Sequence, residues 1–226
     1  MKGNITVALK AIPIFQKDKF IHEISVLSKL QCPFLVHLFG VFVKDPMCYI
    51  AMEFLQQNLM DFLKKNVSER STLKDVCKQI GIDIAFGLKF LHDNNIIHAD
   101  LKSANVLLTD ENRAKICDFG AAKLKSLSSV TYAGPASAGT QGYKPLELGK
   151  KGAKTTKFSD IFSLGVVLWE LQSFSVPFHD CESDFQISME MNERYQLNEP
   201  ILPIPPDTPN QIQQVITQCW DKDPQR

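Results

Sequence analysis

The hydrophobic period of this chain changes once, near residue 58, and that change limits the folds open to it. Before it, three runs are rich in β-branched and aromatic residues: ITVALKAI (5–12), LVHLFGVFV (35–43) and MCYIAMEF (47–54). Such runs favour strands. The last two are separated by Lys44-Asp45-Pro46, a turn signal. Between the first two, DKFIHEISVLSKL (18–30) repeats apolar residues at helical spacing, at Phe20, Ile24, Leu27 and Leu30, with Asp18 as a candidate cap. After residue 58 helices dominate. TLKDVCKQIGIDIAFGLKFLHDN (72–94) carries one apolar stripe at Val76, Ile80, Ile84, Leu88 and Leu91. Gly81 and Gly87 weaken that helix, so packing must hold it. Residues 158–173, 183–195 and 209–220 also read as helices, and VLL (106–108) and AKIC (114–117) as short strands. A Ser-, Gly- and Ala-rich stretch (121–142) reads as a long loop, and Pro-rich 199–209 as an extended connection. The fold class is therefore α+β, with a small β-rich N-terminal part and a larger, mainly helical remainder.

The balance of charge excludes some partners. Lys+Arg and Asp+Glu are equal at 25 each, which gives no electrostatic reason for nucleic acid or an anionic membrane. No apolar run approaches the roughly 18 residues of a membrane span. MKGNITVALK has no apolar core of a secretory signal, so a cytoplasmic location is expected. The six cysteines are scattered without a C-x-x-C pair and read as small core residues of a reducing compartment. Cys117 stands apart because it precedes Asp118.

Three short stretches can carry chemistry. In VALK, Ala8 and Lys10 share a strand face. That leaves room for a flat ligand over the alanine, with the ammonium reaching its phosphates, or else Lys10 is a surface lysine on an ordinary strand. Glu23 flanks the apolar face of its helix and can turn inward toward Lys10, or can simply be solvated. In CDFG (117–120), Asp118 offers a carboxylate to Mg2+, which prefers oxygen and often takes one or two carboxylates plus phosphate. In HADLKSANVL (98–107), Asp100, Lys102 and Asn105 have the spacing that phosphoryl transfer needs.

In order and spacing, VALK, Glu23, H-x-D-x-K-x-x-N and DFG together resemble the eukaryotic protein kinase domain. GTQGYKPLEL (139–148) resembles the end of an activation segment, SDIFSLGVVLWEL (159–171) the helix that follows, with Asp160 at its start, and CWDKDPQR (219–226) the closing motif. The resemblance covers residues 1–226 and implies a two-lobed fold, with 1–55 as a partial N-lobe and hinge and 56–226 as a C-lobe incomplete at its C-terminal end. It implies ATP and Mg2+ as cofactors. Ala8 and Met52 would border the adenine, Glu53 to Leu55 would form the hinge, and Leu107 would floor the base. Lys10, held by Glu23, would pair the α- and β-phosphates. Asp100 would accept or orient the substrate proton, Lys102 would neutralise the transferring phosphoryl, and Asn105 and Asp118 would hold the metal. Lys102 and Thr140 are similar to the serine/threonine type. LHDNNIIHADLKSANVLL, KICDFGAAK and the CW-x-x-DP ending are most similar to the tyrosine-kinase-like branch, including receptor-interacting and mixed-lineage types. The partner implied is a protein substrate with a Ser or Thr acceptor in intracellular signalling, alongside regulatory proteins or attached domains.

Three departures qualify the resemblance. Only six residues precede Val7, and Gly3 is the sole glycine among them, so the family's glycine loop is missing and weak Mg-ATP binding is expected of this chain. Pro145-Leu146-Glu147 replaces Ala-Pro-Glu, keeping Glu147 for an ion pair with Arg226. Ala99 stands where the family's phosphate-binding Arg is usual. The resemblance then implies that a phosphate on Ser126, Ser128, Ser129, Thr131, Tyr132 or Ser137 loses its main cationic partner in the catalytic loop, so that partners or attached domains regulate activity instead. The alternative to a working Ser/Thr kinase is a kinase-fold pseudoenzyme, a scaffold or binding module.

Overall fold

Alternating apolar residues in the N-terminal third build an antiparallel sheet of β1 (Val7–Pro13), β2 (Leu38–Lys44) and β3 (Met47–Glu53) in the order β1-β3-β2. The register sets Ala8 opposite Met52 and Lys10 opposite Ile50. Helix α1 (Lys17–Leu27) packs against this sheet through buried Phe20, Val26 and Leu27. These relations come from a computed structural model that describes residues 6–124, 140–149 and 152–221. Arg226 and the six candidate phosphoacceptors between 126 and 137 lie outside the described residues.

The larger lobe contains β4 (Gln57–Asn58), α2 (Leu59–Lys65), α3 (Lys74–Asp93), β5 (Ile96–Ile97), β6 (Val106–Leu108), β7 (Ala114–Ile116), β8 (Lys123–Leu124), α4 (Lys157–Ser173), α5 (Asp184–Leu197) and α6 (Asn210–Cys219). Helices α3 and α4 form its centre, with Ile80, Ile84, Leu88, Leu91, Val166 and Val167 almost fully buried. The glycines of α3 are explained by this packing. A Cβ on Gly81 would come 2.9 Å from the side chain of Leu168, and one on Gly87 would come 3.0 Å from the carbonyl of Phe34. Fully buried Asp83 ties α3 to β7, accepting two bonds from the Arg113 guanidinium, at 2.7 and 2.8 Å, and one from the Ala114 N–H. Among the described residues no helix is long and apolar enough to cross a membrane.

Several boundaries differ from the sequence reading for local reasons. The second strand begins at Leu38, not at residue 35, because residues 34–36 pair with the large lobe. Val36 N–H donates to Ile116 C=O and Ile116 N–H to Phe34 C=O, both at 2.9 Å. Asp18 lies in the first turn of α1, and Gln16 takes the cap position without a capping side-chain bond. Helix α2 was hidden by its seven-residue length. Its cap is Asn58, whose side-chain oxygen accepts from Asp61 N–H at 2.9 Å. Within the stretch read as one loop from 121, Lys123–Leu124 forms β8 and pairs with β5.

Candidate active site

Lys10 projects from the middle of β1 between two acids supplied by distant elements. Its Nζ donates to Glu23 Oε1 of α1 at 2.7 Å and to Asp118 Oδ1 at 2.8 Å. Burial alone would lower the lysine, but Glu23 and Asp118 outweigh it and raise it. Burial likewise opposes ionisation of Asp118, yet the Lys10 bond holds that carboxyl below its ordinary range. Glu23 is only 2% exposed, and burial pushes its carboxyl up against the pull of Lys10. Asp118 takes a left-handed backbone, φ 61°, that turns its carboxylate toward Lys10 while Phe119 enters the core. The Cys117 thiol beside it is pushed up to about 12 by burial, so it stays protonated and unreactive.

The catalytic-loop candidates are positioned from beneath by α4. Capping-box residues Thr156 and Ser159 start that helix, and Asp160, in its first turn, is fully buried. Asp160 accepts from His98 N–H at 2.9 Å and from Ala99 N–H at 2.8 Å, and it also contacts His92 Nε2 at 2.8 Å. These bonds hold Ala99 at φ 67°, a conformation that non-glycine residues seldom adopt. Asp100 N–H donates to His98 Nδ1 at 3.3 Å, which makes Nε2 the donor to the Cys117 carbonyl at 3.0 Å. One histidine thus links the catalytic loop to the residue before Asp118.

Donors surround the Asp100 carboxylate. Thr140 N–H donates to Oδ1 at 3.0 Å and Thr140 Oγ1 to the same oxygen at 3.2 Å. Asn105 Nδ2 donates to Oδ2 at 3.1 Å, and Lys102 Nζ lies 3.1 Å from it. Lys102 also donates to Thr140 Oγ1 at 2.7 Å, so Thr140 bridges the acid and the base. Asn105 Nδ2 reaches the Asp100 carbonyl as well, at 2.8 Å, which leaves its own amide oxygen as an available acceptor.

At the junction of the lobes, Ala8 faces Met52 across the sheet. Glu53 binds Lys115 Nζ through both carboxylate oxygens at 2.8 Å, and Lys115 is the register partner of Leu107. Leu55 lies in the link between β3 and β4. The structure therefore gathers the sequence-predicted residues into three neighbouring sets. One is Lys10–Glu23–Asp118, the second Asp100–Lys102–Asn105–Thr140, and the third the lobe junction.

The family model for protein tyrosine and serine/threonine kinases matches residues 1–226. The chain belongs to the protein kinase family. It is 31% identical to the serine/threonine/tyrosine-protein kinase HT1 of Arabidopsis thaliana, over 93% of this chain and 52% of the relative. It is also 31% identical to a probable serine/threonine-protein kinase of Dictyostelium discoideum, over 97% of this chain and 24% of the relative. Ephrin type-B receptor 5 of Gallus gallus is 30% identical over 98% of the chain and 22% of its own length. The chain thus spans about half or less of the length of these curated relatives, which carry both serine/threonine and tyrosine names. The two-lobed α+β architecture is that of a protein kinase fold.

Sequence reasoning missed one polar contact set beside these clusters. Ser103 Oγ and Tyr143 OH both donate to Glu170 Oε1 of α4, at 2.7 and 2.9 Å. Among the described residues Glu170 Oε2 is buried without a hydrogen-bond partner, and burial raises this carboxyl to about 7. The available signal was a lone acid inside the apolar run VVLWEL, where an unpaired charge is costly.

Proposed function

We propose that this domain transfers the γ-phosphoryl group of ATP to serine or threonine hydroxyls of protein substrates, as a tyrosine-kinase-like enzyme of intracellular signalling. The observation that carries the reading is Thr140, bridging Asp100 and Lys102. The Asp100 carboxylate orients the acceptor hydroxyl and takes its proton. Lys102 places positive charge beside it, where the transferring phosphoryl gathers negative charge. Lys10, fixed by Glu23, binds the nucleotide phosphates, while Ala8, Met52, Glu53, Leu55 and Leu107 form the adenine site at the lobe junction.

The donor set fits Mg2+. Asp118 has a half-exposed carboxylate, and Asn105 has an amide oxygen left over from its two bonds to Asp100. Two oxygen donors are enough for an ion that keeps waters and phosphate in its shell. When bound, Mg2+ supplies charge neutralisation to the phosphates. Ala99 contributes only backbone to the loop, so we read regulation as resting on partner proteins or attached domains.

The acceptor is tested by offering matched peptides with a single Ser, Thr or Tyr, together with labelled Mg-ATP. Phosphoserine and phosphothreonine are the expected products. Label confined to tyrosine overturns the acceptor reading while leaving phosphoryl transfer intact.

A further inference from the structure

Outward-facing apolar side chains gather on α5. Phe185 is 72% exposed, Met189 56% and Leu197 62%, at positions separated by multiples of four. They therefore lie along one side of the helix. The opposite side already supplies the packing, with fully buried Met191 set among Phe178, Trp169 and Ile201. Along the exposed side runs an open groove of about 510 Å³, bordered by Gln186, Met189, Glu193 and Leu197, with Cys181 and Glu199 also lining it. From Gln186 to Leu197 the helix rises about 16 Å, the length of three turns.

Charge identifies the occupant. Residues 180–199 contain Asp180, Glu182, Asp184, Glu190, Glu193 and Glu199 against a single cation, Arg194, in a chain whose formal net charge is +0. Arg194 is already engaged, with Nε 3.1 Å from Glu190 and a terminal nitrogen 3.8 Å from Glu199. A second copy meeting α5 with α5 would set acid against acid. A partner with apolar residues flanked by Lys and Arg matches both the stripe and its acidic surroundings.

We propose that this groove docks a basic amphipathic helix of a partner protein, its apolar face on Met189 and Leu197 and its cations against Glu190, Glu193 and Glu199. The site lies on α5, apart from the Asp100 and Lys10 clusters, and does not depend on the catalytic reading. The test is fluorescence anisotropy of three labelled 16-residue peptides titrated with the 226-residue chain. One carries Leu at helical spacing with Lys and Arg on its flanks, one replaces the cations with Glu, and one scrambles the basic sequence. The patterned basic peptide should bind at least tenfold more tightly than the other two, and at least fivefold less tightly at 300 mM than at 50 mM salt. Met189→Ser with Leu197→Ser should weaken it at least tenfold at unchanged melting temperature, and Asp100→Asn should leave it unaltered. Glu193→Lys should weaken the basic peptide and strengthen the acidic one. No binding, equal binding of the scrambled peptide, or indifference to the α5 substitutions overturns the proposal. Self-association in sedimentation velocity that the same serine variant abolishes overturns it too, in favour of a second copy.

Discussion

The two polar clusters of the cleft are built differently. Lys10, Glu23 and Asp118 come from elements 13 and 108 residues apart, and their ion pairs are partly open to solvent, with Lys10 34% and Asp118 47% exposed. Asp100, Lys102 and Asn105 come from one short loop, pinned from below by fully buried Asp160. Exposed pairs contribute little to stability, whereas a buried acceptor of backbone N–H groups is costly to remove. The Asp118 side of the first cluster can therefore be altered without unfolding the chain, and the support beneath the second cannot.

The largest expected effect follows from removing that support. Asp160→Ala leaves the N–H groups of His98 and Ala99 without their acceptor, at roughly 1–3 kcal/mol each. Transfer should disappear and the melting temperature fall together. An unchanged melting curve would erase the distinction drawn between the clusters. Asp118→Asn should separate the two readouts: phosphate transfer drops by about 100-fold or more, while stability moves by less than about 1 kcal/mol. Lys10→Met should abolish transfer and also lower the melting temperature, because it leaves the buried Glu23 carboxyl without its cation. A large loss of stability in Asp118→Asn would show that its ion pair with Lys10 holds the fold.

A smaller effect concerns Glu170, which joins Ser103 of the catalytic loop to Tyr143. Its carboxyl is raised from 4.5 to about 7, chiefly by burial. Between those values the folded chain binds more protons than the unfolded one, so this group's contribution to stability is lost as pH rises from about 4.5 through about 7. Glu170→Gln removes the titration. Its melting temperature relative to wild type should rise across that window by several degrees. A difference that stays constant from pH 5 to pH 8 would assign the raised carboxyl no role in stability.

Much of the site was legible because phosphoryl transfer fixes residue types and spacings. VALK, HADLKSAN and CDFG gave Lys10, Asp100, Lys102, Asn105 and Asp118 directly, and the structure brings them into two neighbouring clusters. The supports were less legible. His92 and Glu170 act through contacts 68 and 67 residues away, to Asp160 and Ser103, and although both lie in stretches that resemble the family, local spacing assigns neither a role. The early part of the second strand reads as β by composition, yet it pairs with β7 across the lobes, a tertiary choice that local propensity does not encode.

The central claim is that Asp100, held among Thr140, Lys102 and Asn105, serves phosphoryl transfer. Its most direct test is label incorporation from Mg-ATP into a Ser/Thr peptide, wild type beside Asp100→Asn at matched melting temperature. Transfer by wild type and a loss of at least about 100-fold in the variant, equivalent to roughly 2.7 kcal/mol of barrier, is the result the account predicts. Equal incorporation by both proteins, or none by either at saturating Mg-ATP, would contradict it.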